Sequence, residues 1–294
     1  MILPTTVVGS FPAVKGTGLG AIIDPYRHAV RFAVAEQIRA GVDIISDGQV
    51  REGMIQAFTG KLPGVRDDTV ISRILPAASG ITVGDTRYAL SQTGKVKGIL
   101  TGPSSIAHAL RIKTPEYRNR DEVVLDIAAA LAVEAQALAK EGVCMIQIDE
   151  PILSTGAADI ATGAEAIGII ARSVDLPVCV HVCGPLAGII DTLLRLPVAV
   201  LDIEAATQPE NLEIFDEKDL RGKMIGCGCV ASSDHEVESV DLIRERIETC
   251  IDTFSHDRIL IDPDCGLRMH TPEGAAAKLS RMCEAVRLVR REYE

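Results

Sequence analysis

The chain has 294 residues, 47% of them hydrophobic, with a net charge of -11 and only 3% aromatic residues, none of them Trp. That length suits one large α/β domain with a sizeable core. The acidic balance and lack of aromatics exclude a nucleic-acid surface, and no apolar run approaches the roughly 20 residues of a membrane span.

The start, Met1 to Val14, lacks a basic leader and a small-residue cleavage site, so it reads as a first strand. Eight Cys sit singly in apolar runs, which predicts reduced thiols and a cytoplasmic protein. Along the chain, short β-branched runs alternate with segments of helical period. The strands are expected at Thr6-Val8, Val42-Ile45, Gly98-Leu100, Met145-Ile148, Val178-Val182, Val198-Ile203, Met224-Cys227 and Ile259-Ile261.

Between them, Asp24 with Pro25 opens a helix that Gly41 closes, and an Ala-rich helix runs from Asp121 to Lys140 and stops at Gly142. Thr162 with Glu165 has the spacing of a capping box, and Thr271 with Pro272 opens a final helix. Eight strand-helix repeats, with no internal repeat or low-complexity linker, predict a single domain over residues 1–294. The architecture expected is a (β/α)8 TIM barrel; a doubly wound open sheet is the competing one. Leu62 to Val96 is too long for a simple crossover. It carries Ile81-Thr82-Val83 and Thr86-Arg87-Tyr88, which predict a hairpin excursion at the barrel mouth.

Chemistry gathers at the strand ends. In Val178-Cys179-Val180-His181-Val182-Cys183-Gly184, positions two apart share a face, so His181 and Cys183 project together. Glu204 follows Cys183 by 21 residues and Cys265 follows Glu204 by 61, or about one and two β/α units. These residues then fall on strands five, six and eight, at the face where barrel active sites are built. One imidazole, two thiolates and a carboxylate suit one four-coordinate Zn2+ per chain, since magnesium and calcium want oxygen shells.

Singly, each of these side chains is more often a core residue; the set carries the reading. Cys227-Gly228-Cys229 reads as packing, and His28, His108, His256 and His270 as surface or helix-end residues. Thr101-Gly102-Pro103-Ser104-Ser105 offers helix N–H groups to an anion, though without a phosphate motif it reads as a substrate-lining turn. Alternation aims Asp149 to the same face as Gln147 and leaves Glu150 to fix a loop.

With these residues in hand, the chain resembles the cobalamin-independent methionine synthase family, in a single-barrel form that matches its C-terminal catalytic domain. The likeness rests on Val8-Gly9-Ser10-Phe11-Pro12, Lys97-Gly98-Ile99-Leu100-Thr101-Gly102-Pro103, Gln147-Ile148-Asp149-Glu150-Pro151, His181-Val182-Cys183, Ile203-Glu204 and Asp262-Pro263-Asp264-Cys265-Gly266-Leu267. The resemblance implies that His181, Cys183, Glu204 and Cys265 hold zinc and that Ser10 and Asp149 help bind L-homocysteine, whose thiol is methylated to give methionine. Glu204, the hard oxygen ligand, is expected to give way to the substrate sulfur, and so to act in catalysis.

Departures from the family pattern shape further expectations. Gln49 is neutral where the family has an acidic substrate contact, which leaves Asp47 as the nearby acid. His235 lies in the segment after strand seven, out of register with the family's acid, and is the candidate for proton transfer. A single barrel is expected here, without the second barrel that helps long members bind polyglutamylated methylfolate. Methylcobalamin or a methylated corrinoid protein is therefore the expected methyl donor, with methyltetrahydrofolate as the alternative. Methylation of another thiol such as coenzyme M is the rival activity, and a non-catalytic corrinoid-docking module the rival from another class.

Overall fold

Runs of Val, Ile and Leu bounded by turn residues become strands, and they do so close to where the sequence places them. In the computed structural model, which describes residues 2–17 and 22–293, the elements begin with helix α1 (Arg27–Ala40), strands β1 (Val65–Arg66) and β2 (Thr69–Val70), helix α2 (Val83–Leu90), strand β3 (Lys97–Thr101) and helix α3 (Pro103–Ala109). Strand β4 (Arg111–Ile112), helix α4 (Arg120–Glu141), strand β5 (Met145–Asp149), helix α5 (Ile160–Ala171), strand β6 (Val178–Val182) and strand β7 (Val200–Glu204) follow. Strand β8 (Met224–Val230), helix α6 (Val240–Phe254), strand β9 (Ile259–Pro263) and helix α7 (Pro272–Tyr293) complete the series. Strands β3 and β5 to β9 follow one another in a single sheet order, and helices alternate with them along the chain.

By contact density the chain divides into two units, Met1–Arg51 with Asp202–Glu294, and Glu52–Leu201. In the second, β3, β5 and β6 pair in parallel, with Ile99 opposite Gln147 and Asp149 opposite His181. A Cβ on Gly98 would lie 2.9 Å from Leu138 Cδ1 of α4, so Gly98, Leu100, Ile146, Ile148 and Val180 turn toward the helices. The alternate residues Lys97, Thr101, Gln147, Asp149 and His181 share the opposite face. All fifteen positions of these strands are buried, as expected for parallel strands covered on both sides.

The long helix α4 starts at Asn119, whose side chain accepts from Glu122 N at 3.0 Å, and stops at Gly142, in the left-handed region at φ 96°. Its buried Val124, Ile127, Leu131 and Leu138 recur at helical spacing and lie against the sheet and α5.

Three local expectations are corrected. The hairpin in residues 62–96 is only the two-residue pair β1-β2, with Val65 opposite Val70; the runs Ile81–Val83 and Thr86–Tyr88 lead into and form α2. Glu134 of α4 decides this, accepting from Ile81 N and Thr82 N at 2.7 Å each and so capping the start of α2, while Thr86 and Ala89 bury one face. Helix α5 is capped by Asp159, which accepts from Thr162 N at 2.7 Å, so Thr162 lies inside the helix and makes no capping box. Asp24 accepts from Tyr26 N in a turn just ahead of α1, and Gly41 closes that helix at φ 88°.

In the first unit, β8 and β9 pair in parallel, and β9 continues to the chain start: Thr6 N donates to Ile261 O at 2.8 Å and Ile261 N to Pro4 O at 2.9 Å. Ile44 N donates to Thr5 O at 3.0 Å, so the first two expected strands are present as a few ladder bonds and isolated bridges. Arg290 of α7 donates to Ile2 O at 3.0 Å and Leu3 O at 2.8 Å and pairs with Asp43. Burial alone would raise the Asp43 carboxyl, but bonds from Thr5 and Arg290 hold it below its ordinary value. No helix among the described residues is long and apolar enough to cross a membrane.

Candidate functional site

His181 comes off the end of β6 almost fully buried, and Cys183, half-buried, follows on the same side of the chain. Gly184, at φ 83°, then turns the backbone away. Cys265, also half-buried, lies two residues past β9. One ligand atom each from His181, Cys183 and Cys265 lie within 4.8 Å of one another. Tetrahedral zinc, with Zn–N and Zn–S bonds of about 2.0 and 2.3 Å, spaces its ligand atoms roughly 3.5–3.8 Å apart. An imidazole and two thiols within that separation fit the donor set of zinc, with side-chain adjustments of up to about an ångström. Glu204 ends β7 half-buried, and among the described residues it does not join this trio. Its backbone carbonyl accepts from Asn211 Nδ2 at 2.9 Å.

One residue that the sequence reading passed over organises this region. Asp264 Oδ1 accepts from Ala205 N at 3.0 Å and Ala206 N at 2.9 Å, and Oδ2 from Thr207 N at 2.8 Å and Thr207 Oγ1 at 2.7 Å. It thereby ties the turn after Glu204 to the residue before Cys265. Gly228 leaves the room, since a Cβ there would sit 2.4 Å from Asp264 Oδ1. Burial pushes the Asp264 carboxyl up to about 6, against the opposing bonds from Thr207, Ala206 and Ala205. Replacing Asp264 with Ala is expected to lower zinc affinity about 10- to 100-fold, the usual cost of losing a ligand's support. Chelator competition measures it, and unchanged affinity removes Asp264 from that role.

The expected substrate residues of the first unit converge on the same turn. Leu267 N donates to Ser10 O at 2.8 Å, and a Cβ on Gly266 would meet Ser10 Oγ at 1.9 Å, so Ser10 packs directly on the residue after Cys265. Ser46 Oγ donates to Gly9 O at 3.1 Å, Phe11 N to Gly48 O at 2.8 Å, and Arg268 Nη1 to Gln49 O at 3.2 Å. Asp47, 8% exposed, accepts from Gln49 N at 2.9 Å, which holds Gln49 in the left-handed region at φ 44°. Three sequence-distant segments, 9–11, 46–49 and 264–268, are thus one hydrogen-bonded cluster.

In the second unit Asp149, 6% exposed, stands opposite His181 in the β5-β6 register. Glu150 points the other way, as alternation requires. Its carboxylate accepts from Ser104 N at 2.8 Å, Ser105 N at 2.9 Å and Ser105 Oγ at 2.8 Å. The N–H groups that open α3 therefore hold the chain's own anion. Burial raises the Glu150 carboxyl, against those hydrogen bonds.

His235 is exposed on the loop after β8, its ring edge-on to His270 at 5.0 Å. His270 is buried, with Nε2 2.8 Å from Ser232 O, which corrects its reading as a surface residue. That loop is pinned by Glu238, which takes Arg246, Ala231 N and the fully buried Lys278. Cys227 and Cys229 are fully buried beside Cys250, with Cys229 Sγ 3.9 Å from Cys250 Sγ. Burial, then Cys250, pushes the Cys227 thiol well above its ordinary value, as suits a packing thiol.

Comparison with known proteins gives consistent findings. Residues 3–288 match the family model described as "Cobalamin-independent synthase, Catalytic domain". A methionine synthase of Methanothermobacter marburgensis is 43% identical over 305 aligned positions, covering 96% of this chain and 98% of that protein. Its counterpart in Methanocaldococcus jannaschii is 40% identical, with 97% and 99% covered. Among solved structures, a B12-independent methionine synthase from Shewanella sp. W3-18-1 superposes with a TM-score of 0.88 at 20% identity, covering 100% of this chain and 99% of that one. The α/β barrel expected from the sequence is the fold shared with that structure.

Proposed function

The chain belongs to the cobalamin-independent methionine synthase family, through its catalytic domain, and from that membership we propose that it transfers a methyl group to the thiol of L-homocysteine, giving methionine. The whole chain acts as one catalytic domain in this reading. The observation that carries it is the β5-β6 register, which sets Asp149, an acid suited to an ammonium group, one strand from His181. An amino acid with a thiol on its side chain needs both neighbours.

His181, Cys183 and Cys265 would hold zinc, and Glu204 at the end of β7 would supply a fourth, displaceable donor. When bound, zinc supplies the positive charge that strips the proton from a thiol whose pKa is ordinarily near 8.5. The residues around it position the substrate. Asp149 receives the ammonium group, and Ser10, Asp47 and Gln49 line the turn beside Cys265. His235, exposed on its pinned loop, passes the released proton to solvent.

For the methyl donor, the family's cobalamin independence weighs against the methylcobalamin or corrinoid protein expected from the sequence. That leaves the alternative, a methylated reduced folate such as methyltetrahydrofolate, as the proposed donor. The test is to supply zinc-loaded protein with homocysteine and, in separate reactions, methyltetrahydrofolate and methylcobalamin, and to quantify methionine. Product with the folate alone is expected. Product with methylcobalamin alone reverses the donor assignment, and product with neither while coenzyme M is methylated rejects homocysteine as acceptor.

A further inference from the structure

Lys97 is a buried cation, 1% exposed, at the start of β3 and on the face turned away from α4. Its ammonium group donates to Gln147 Oε1 of β5. Gln147, fully buried, passes the contact on: its Nε2 donates to Asp149 Oδ1 at 2.7 Å. A carboxamide between an ammonium and a carboxylate has one satisfactory orientation, oxygen to the cation and nitrogen to the anion. The three side chains lie on one face of two adjacent strands, so the backbone ladder holds their spacing as well. With Oδ1 held, the Asp149 carboxylate is stopped from rotating about its last side-chain bond.

We propose that Lys97 and Gln147 are positioning residues that aim the Asp149 carboxylate at the amino group of the substrate. The proposal rests on the reading that Asp149 takes that amino group. Neither residue touches substrate; each acts through the next. The chain Lys97 to Gln147 to Asp149 gives a buried ammonium its partner and transmits its charge to the strand end without placing a second cation beside the incoming one. A charge-assisted contact is about twice as strong as a neutral one, so a misaimed carboxylate should weaken amino-acid binding about tenfold or more.

The test compares binding of methionine with binding of 4-(methylthio)butanoate, the same molecule without its amino group, by calorimetry on zinc-loaded protein. Lys97→Met removes the cation. Gln147→Glu keeps a partner for Lys97, and so the fold, while removing the donor to Asp149. Both variants are expected to bind methionine about tenfold or more weakly, bind the deaminated analogue as before, and raise KM for homocysteine with kcat within about threefold. Equal weakening of both ligands marks a purely structural role and overturns the proposal, as does unchanged methionine binding in Gln147→Glu. Asp149→Asn separates the two levels. If it leaves the preference for methionine over the analogue intact, the amino-group reading is wrong and the proposal falls with it. If it erases that preference while Lys97→Met and Gln147→Glu retain it, the positioning role alone is rejected.

Discussion

Replacing Cys265 with Ala is expected to abolish methionine formation, by roughly a thousandfold or more, and to lower bound zinc well below one ion per chain. The loss exceeds the roughly hundred- to thousandfold cost of removing one transition-state contact, because the metal itself departs. Two thiols and one imidazole gather within 4.8 Å; without Cys265 only His181, Cys183 and the displaceable Glu204 remain, too few strong ligands for a stable site. Metal analysis and a methionine assay on the purified variant decide the matter together. Full turnover with stoichiometric zinc would falsify the ligand assignment. Glu204→Gln is expected to behave differently, keeping zinc more weakly and losing activity in part, because a displaceable ligand contributes less to retention.

Gly102→Ala is expected to cost about 3 kcal/mol or more of folding stability, among the largest effects of any single methyl group in the chain. Gly102 has φ -67° and ψ 147°, angles any residue adopts, so its need is for space. A Cβ there would lie 2.0 Å from Glu150 Cδ and 2.5 Å from Oε2. Glu150 cannot simply swing aside, since Ser104 N, Ser105 N and Ser105 Oγ all depend on it. Either the carboxylate leaves and those buried donors lose their acceptor, or strands β3 and β5 separate. Moving Glu150 also moves Asp149, so the surviving folded fraction should bind homocysteine poorly. Chemical denaturation reads the first effect and KM the second; a midpoint unchanged from the parent protein would show that the crowding relaxes without consequence.

Much of this was legible in the residues because parallel strands covered on both faces leave continuous apolar runs. Five of the eight expected strands coincide with β3, β5, β6, β8 and β9 to within a few residues, and β7 starts two residues later than expected. Thr6-Val8 and Val42-Ile45 are slighter than their composition suggests, with their ladder bonds concentrated around Thr5 and Ile44. The hairpin between residues 62 and 96 was misjudged because β-branched Ile81, Thr82 and Val83 favour strand locally. What overrides them is Glu134, some fifty positions away, a partner no local pattern displays.

At the site, strand-end spacing was enough to anticipate that His181, Cys183 and Cys265 come together, because two-residue periodicity and β/α repeat length fix where side chains emerge, whereas Glu204, expected on the same grounds, does not join them among the described residues. Asp264 was missed although it adjoins a proposed ligand. Its role lies in four bonds to the turn after β7, and only the meeting of two strand ends reveals them. Gln147 and Lys97 were visible as letters of two motifs, but their joint action needs the β3-β5 register.

Arg290 grips the carbonyls of Ile2 and Leu3, and Ile261 supplies the ladder beside Thr6. A ribosome makes Ile2 and Leu3 about 15–60 s ahead of Arg290 at ordinary elongation rates. Early in that interval the opening segment has the bonds between Thr5 and residues 43–44, and it waits for those with Ile261 and Arg290. The middle of the nascent polypeptide can mature early, but its opening segment is fastened to α7 only once the arginine has been made.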